Sequence, residues 1–298
     1  MNIVTADRKN FFPEGRYPIT VRNIRGGGAG QHEHDMTDVR HAHNFAELVI
    51  VTDGCGVQWI DGEPYRVAAG DIFLIRGNTE HCFLERNGLS LSNIMFDDAS
   101  LEQHLKSLRS LPGYNALFLF EPAYRKYHRF QSHLHISAET LLPVVNLLHA
   151  MSVELERGLP GCDLLLLART IEIFVHLSRE YAKCPNPMMR SLNRLGEVIS
   201  RLEREYREEW TIAAIARIAN MAPSTLIPVF RRATGYPPID YLIRVRALKA
   251  AELLRQTDRP ITEIALQTGF SDSNYFSRQF RRIHQLSPRD YRRRFQPS

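Results

Sequence analysis

ITEIALQTGFSDSNYFSRQFRRIHQLSPRDYRR, residues 261–293, decides the fold of the C-terminal third because the chain contains a second version of it. IAAIARIANM (212–221) aligns with ITEIALQTGF (261–270) at a constant offset of 49, pairing Ile212 with Ile261, Ile215 with Ile264 and Ala216 with Ala265. In both copies the alanine is followed four positions later by Asn220 or Gly269, residues that accept a left-handed turn. A small residue that admits a second helix, then a positive-φ corner, predicts a helix-turn-helix. Beyond the turn the offset becomes 50, matching Leu226 to Phe276, Phe230 to Phe280, Arg231-Arg232 to Arg281-Arg282, Pro238 to Pro288 and Tyr241 to Tyr291. The second turn is therefore one residue longer. The two units are placed at 212–232 and 261–282.

Between them, PPIDYLIRVRALKAAELLRQTD spaces Leu242, Val245, Leu248, Ala251 and Leu254 for one inward helical face. About 17 residues at ~1.5 Å each give a linker rod of roughly 25 Å. Two recognition helices so held suit successive major-groove segments about 34 Å apart. The alternative is a helical repeat packed for protein binding.

Charge agrees with a polyanionic partner. The formal net charge of +5 divides unevenly. Residues 191–298 carry 19 Lys+Arg, of which 18 are Arg, against 11 Asp+Glu, whereas the preceding 190 residues are net −3. Arginine forks suit phosphates and guanine edges, and a basic face gains free energy by releasing condensed counterions.

The N-terminal part has a different period. ELVIVTD, GVQWI, YRVAAG, DIFLIR, HCFLE and LSLSNIMF, within 40–96, read as short strands separated by DG, NG and other glycine turns. They predict an antiparallel sandwich or barrel over 40–98, preceded by an N-terminal arm and first strands over 1–39. Residues 99–183 turn helical. In CDLLLLARTIEIFVHLSREYA, the stripe Leu164, Leu167, Ile171, Phe174, Val175 and Ser178 suits packing on the barrel, a dimer seam, or both. The prolines of AKCPNPMMRS mark a linker over 184–192 before the C-terminal domain, 193–298. The fold class is thus α+β with two domains.

No apolar run approaches the ~18–20 residues that span a bilayer, and the start lacks the basic-then-apolar pattern of an export signal. The expected compartment is the cytoplasm. Cys55, Cys82, Cys162 and Cys184 stand singly, as reduced structural thiols do.

IARIANMAPSTLIPVFRRATGYPPIDYLIRVRALKAAELLRQTDRPITEIALQTGFSDSNYFSRQFRRIHQLSPRDYRR resembles the AraC/XylS transcription regulators, whose signature covers about 205–295. The resemblance implies a sequence-specific DNA-binding regulator. It favours the outer face of the second unit for base contact, where Ser273, Asn274, Ser277, Arg278 and Arg281 stand, with Arg281 itself better suited to a phosphate or to solvent. Asn274 and Arg278 are one turn apart and suit adenine and guanine respectively. Asp272 suits a helix cap or a cytosine amine. In the first unit Ser224, Thr225, Ile227 and Arg231 are the candidate contacts. Pro228 stands where the second unit has Arg278, and Ala222 where a serine cap is usual. Proline inside a helix costs ~3 kcal/mol, so a kinked or shortened first recognition helix is expected.

The stretch His41-Ala-His43-Asn-Phe-Ala-Glu47 followed by Gly54 resembles the first cupin motif, and Gly70 to His81 the second. His41 and His43, two apart on a strand, share a face. With Glu47 and His81 they form a set for a divalent transition metal, for a ligand's hydroxyls, or for one another. Trp59 is a candidate for stacking on a sugar or for the core. His32 and His34 belong to the glycine-rich arm. Residues 41–81, with LSNIMF and LPGYNALF, resemble the sensor domain of the rhamnose-operon activators. That resemblance implies a sugar-responsive activator that recruits RNA polymerase, with L-rhamnose one candidate effector; a homodimer is the expected assembly. A repressor, a metal-responsive regulator and a metal-dependent cupin enzyme are the alternatives, although no nucleophile–base pair or phosphate loop marks the chain as an enzyme.

Overall fold

A computed structural model of the chain describes residues 4–12, 17–26, 39–128 and 133–296. Its N-terminal half begins with β1 (Val4–Ala6), the one-turn helix α1 (Arg8–Phe11), β2 (Ile19–Ile24), β3 (His41–His43), β4 (Ala46–Ile60), β5 (Glu63–Ala68), β6 (Asp71–Arg76) and β7 (His81–Phe96). His32 and His34 lie outside the described residues. β4 and β7, 15 and 16 residues long, are antiparallel neighbours along most of their length. The first half of β4 also pairs with β6 and its second half with β5, while β2 runs antiparallel to the end of β7. β1 pairs with β3 in parallel, so the sheet is not wholly antiparallel. The long connection between those two strands makes such pairing possible.

The expected turns at Asp53-Gly54 and Asn87-Gly88 are corrected: both dipeptides lie inside long strands, so ELVIVTD and GVQWI are one strand, as are HCFLE and LSLSNIMF. The register shifts around Asp53, and Gly54 and Gly88 have φ of +70° and +65°. A β-carbon on Gly54 would fall 2.4 Å from the Gly88 carbonyl. The glycines serve bulges at a close strand approach rather than chain reversals. Asp61-Gly62, with φ of +46° and +93°, does turn the chain between β4 and β5.

Strand alternation divides the side chains between two cores. Val49, Val51, Phe73, Ile75 and Leu91 face inward with Ile60, Tyr65 and Phe83. Leu48, Ile50, Ile72, Leu74, Ile94 and Phe96 face outward into a core shared with helices. Those helices are α2 (Asp98–Leu105), a 3₁₀ turn (Lys106–Ser110), α3 (Pro112–Tyr114), a π-helical turn (Asn115–Phe120) and α4 (Glu121–His128). The short β8 (Leu134–His135) returns to pair with β6 before α5 (Ala138–Arg157) and α6 (Cys162–Lys183). In α6, Leu167, Phe174 and Ser178 are buried, Ile171 and Val175 half-buried, and Leu164 exposed. The stripe is therefore mostly internal, with an exposed edge.

The proline-rich stretch 184–192 is not a linker throughout. The helix α7 (Pro187–Arg204) begins inside it, because Asn186 accepts from the Met188 and Met189 amides and Pro187 occupies the first turn. Proline there initiates a helix. α8 (Ile212–Ala219), α9 (Pro223–Thr234), α10 (Pro238–Gln256), α11 (Ile261–Gln267), α12 (Ser273–His284) and α13 (Pro288–Phe295) follow. On α10, Leu242, Val245, Ala251 and Leu254 are buried as expected, but Leu248 is 40% exposed. The core of the sheet and helices continues without a break through α7 into Ile215, Ala216, Leu226, Phe230 and Tyr241 of the first helix-turn-helix. The second unit has its own core, built with Ile243, Ala247, Ala250, Ala251 and Leu254 of α10. No single described helix is long and apolar enough to cross a membrane.

Candidate DNA interface and ligand pocket

Both turns have the geometry that their residues imply. Thr211 caps α8 by accepting from the Ala214 amide, and Asn220 closes it at φ +53°. Gly269 occupies the same corner at φ +86°, where a β-carbon would meet Arg207 backbone at 3.0 Å. Ala216 and Ala265 are buried where the helices cross. At the start of α12, both carboxylate oxygens of Asp272 accept from the Asn274 and Tyr275 amides, at 3.2 and 2.6 Å. Asp272 is thus the cap of α12. Ala222, its counterpart on α9, makes no such bond.

Phe276 and Phe280 are buried, which turns the opposite side of α12 outward. Asn274, Arg278 and Arg281 are exposed on it, and Ser273 and Ser277 half-buried. The Ser277 hydroxyl donates back to the Ser273 carbonyl at 2.9 Å. On α9, Leu226 and Phe230 are buried while Ser224, Thr225, Pro228 and Arg231 are exposed and Ile227 half-buried. The expected shortening at Pro228 is corrected: α9 and α12 each span 12 residues. Leu226 and Phe230 anchor the helix on either side of the proline.

The second constellation lies inside the sheet. Glu47, on the inward face with Val49, is 5% exposed. Its Oε2 lies 3.0 Å from His43 Nε2 and 3.1 Å from His81 Nε2, and its Oε1 accepts from the Asn93 amide at 2.5 Å. His41 sits opposite His81 in the strand register, their rings 4.2 Å apart. Each imidazole turns Nδ1 to a backbone carbonyl: His41 to Val39 at 2.8 Å, His43 to Phe45 at 2.8 Å, His81 to Thr79 at 3.1 Å. Carbonyls accept, so each Nδ1 donates; the Nε2 atoms of His43 and His81 are taken up by the Glu47 carboxylate, and that of His41 is left for the interior. Burial alone would raise the Glu47 carboxyl's pKa, but the His43 and His81 hydrogen bonds and charges outweigh it and hold it well below the usual range. Burial, then the neighbouring His81 charge, lowers that of His41.

This cluster is one wall of a cavity also lined by Ala6, Phe11, Arg22, Gln58, Phe83 and Met95. Gln58 is fully buried, and among the described residues neither its amide nitrogen nor its oxygen has a partner; the Asn93 Oδ1 has none there either. Buried amides without partners cost about 1–3 kcal/mol each, and they are the groups a hydroxylated ligand satisfies. The Arg22 guanidinium lies 4.8 Å from the Phe11 ring centroid. The cavity holds about 30 Å³, close to a single water's share of the liquid.

Comparison with known proteins places both constellations. The profile "AraC-like ligand binding domain" matches residues 23–151 and the profile "Helix-turn-helix domain" residues 215–294. The HTH-type transcriptional activator RhaS of Enterobacter sp. (strain 638) is 30% identical over 292 residues, 95% of each chain. The chain belongs to the AraC family of transcription regulators. RhaS of Salmonella typhimurium (strain LT2) is likewise 30% identical over 286 residues, covering 95% of both chains. The C-terminal domain of AraT, a response regulator from Geobacillus stearothermophilus, is 30% identical over 35% of this chain and 88% of that one, with a TM-score of 0.34.

In this AraC-family regulator the four expected cluster residues come together, and Trp59 does not join them. Gln58 lines the cavity, so its neighbour Trp59 points to the other face, where the Arg40 guanidinium lies 4.3 Å from the ring centroid. The sequence reading missed Arg22, Gln58 and Asn93. A glutamine between Val57 and Trp59 in a strand was the available sign. Asn93 lies opposite Val49 in the register, which only cross-strand pairing reveals.

Proposed function

We propose that this AraC-family regulator is a cytoplasmic, sugar-responsive transcription activator that works as a homodimer and engages RNA polymerase. The observation that carries the effector reading is the buried pair Gln58 and Asn93, whose unpartnered amide atoms face a cavity inside the ligand-binding half. A neutral polyhydroxylated ligand offers donors and acceptors together, as these amides require. A monosaccharide is larger than this cavity of about 30 Å³, so binding requires its lining to rearrange. The activator reading draws on the curated relatives, which carry that description. The homodimer reading draws on Leu142, Leu159, Leu164 and Leu165, all exposed along the α5–α6 hairpin.

For DNA, Asn274 and Arg278 read bases, Ser273, Ser277, Arg281, Ser224, Thr225, Ile227 and Arg231 support or extend the contact, and Asp272 holds the helix that presents them. Titrating the full-length protein with L-rhamnose and other neutral aldoses, with thermal shift and promoter-fragment retention as readouts, tests the reading. An aldose at 100 times its dissociation constant adds about 2.7 kcal/mol of stability. The expected result is a shift lost in Gln58→Leu. No shift with any aldose would remove the sugar effector.

A divalent metal is a second reading, favoured by the three Nδ1–carbonyl bonds, which orient imidazoles as outer-sphere partners orient metal ligands. The donor atoms of His41, Glu47 and His81 lie within 4.8 Å of one another, and His43 Nε2 adjoins the same carboxylate. Elemental analysis after dialysis distinguishes the two occupants.

A further inference from the structure

The duplicated tyrosines, Tyr241 and Tyr291, occupy equivalent positions but different surroundings. Tyr291 packs among Phe280, His284 and Phe295 inside the second unit. Tyr241 instead joins the two halves of the chain. Its hydroxyl accepts from Arg109 of the 3₁₀ turn at 3.1 Å and donates to Glu203 of α7 at 2.6 Å. Its ring meets Phe230 of α9 edge-on at 5.6 Å, and Phe230 in turn meets Phe120 of the π-helical turn at 5.9 Å. The Arg109 carbonyl accepts from Asn115 at 2.7 Å and from Ser200 of α7 at 3.1 Å. Sensor, α7, α9 and α10 therefore converge on one partly buried polar knot.

The two readers differ in the same way. Leu226 and Phe230 of α9 belong to the core that begins in the sheet, whereas Phe276 and Phe280 of α12 belong to a separate core built on the second half of α10. The Lys106–Glu252 pair, 3.1 Å long and about one-third exposed on both sides, is a weak tie between the sensor and that half of α10.

We propose that Tyr241, clasped between Arg109 and Glu203, is a positioning residue that makes the first helix-turn-helix a rigid extension of the ligand-binding half, leaving the second unit to move as a separate body about α10. Sensor rearrangement then reaches α9 directly, and α12 through the rod and the approach of Gly269 to the Arg207 backbone. The direction of that signal rests on the ligand-responsive reading; the mechanical asymmetry does not, and its test needs neither ligand nor DNA.

The test is amide hydrogen exchange on the full-length protein and on Tyr241→Phe, with Tyr291→Phe as the matched control. The phenylalanine keeps the ring packing and removes only the hydroxyl. Exchange in α8, α9 and residues 106–120 should rise together by about ten-fold in Tyr241→Phe, as expected for losing hydrogen bonds to charged partners. Exchange in α11–α13 should stay within two-fold. Tyr291→Phe should affect α12 and α13 while leaving α8 and α9 unchanged. A merely structural tyrosine would raise exchange throughout 193–296. That result, or α8 and α9 unaltered in Tyr241→Phe, overturns the proposal. Arg109→Gln, which leaves the tyrosine in place, must reproduce the same pattern if Tyr241→Phe does not fold.

Discussion

Gly196 of α7 lies so close to Pro112 that a β-carbon on the glycine would fall 2.1 Å from the proline carbonyl oxygen. One residue further on, a β-carbon on Gly113 would fall 1.9 Å from the Ser178 carbonyl oxygen of α6. The short helix α3 is thus wedged between α6 and α7 by backbone contact on both sides, and neither neighbour has a side-chain end that can swing away. Gly196→Ala should push α7 outward and destabilise the protein by about 1–3 kcal/mol, although alanine is the better helix former. Thermal melting of the full chain checks this. A melting temperature at or above the parent's would mean that α7 does not approach α3 so closely.

The capping difference between the two readers gives an opposed pair of effects. Asp272→Ala removes two bonds to the amides of α12 and should cost about 0.5–2 kcal/mol. Ala222→Asp, at the matching position of α9, should add a similar fraction, because Ala222 gives that helix no side-chain bond. Urea titration of each variant measures both. Equal effects of either sign at both sites would contradict the asymmetry.

The duplicated module was legible because its determinants are local. Ala216 and Asn220, or Ala265 and Gly269, lie within one turn of each other, and their spacing alone specifies the corner. His41, His43 and Glu47 were legible for a similar reason, standing on one strand–turn–strand segment with a period of two. Gln58 and Asn93 were not, since what makes them part of the site is a register between distant stretches of β4 and β7. Positive φ serves a bulge as well as a turn, so Asp53-Gly54 and Asn87-Gly88 read as hairpin corners until Gly54 is seen against Gly88. Pro187 misled for a related reason: at the first position of α7 it begins a helix, and only the Asn186 cap distinguishes that from a linker.

Pro228 allows the two readers to be tested as DNA contacts. A proline there has no amide to donate to the preceding turn, and it places a rigid, uncharged ring on the exposed face that carries Arg278 in the second unit. Pro228→Arg should stabilise α9, by at most the ~3 kcal/mol that an interior proline costs, and should create a base preference in the first half-element. Selection from randomised DNA sites reads the preference. If the recovered motif keeps its original first half, α9 does not present position 228 to the groove.

The buried histidine–carboxylate cluster fixes the direction of the pH response. The carboxyl of Glu47 titrates well below its ordinary value of 4.5, so the stability it contributes is complete above about that pH and is lost as pH falls through its lower folded value. His41 titrates below its ordinary 6.5, so the unfolded chain takes up its proton first, and stability declines as pH drops below about 6.5. Both groups therefore weaken the fold on the acid side, in two stages. Glu47→Gln should abolish the lower stage and leave the upper one, while His41→Asn should do the reverse. Urea midpoints measured from pH 7.5 down to about 2 resolve the stages. Stability that rises on acidification across the upper window would mean that His41 is held in its charged form, against the burial and the His81 charge that disfavour it.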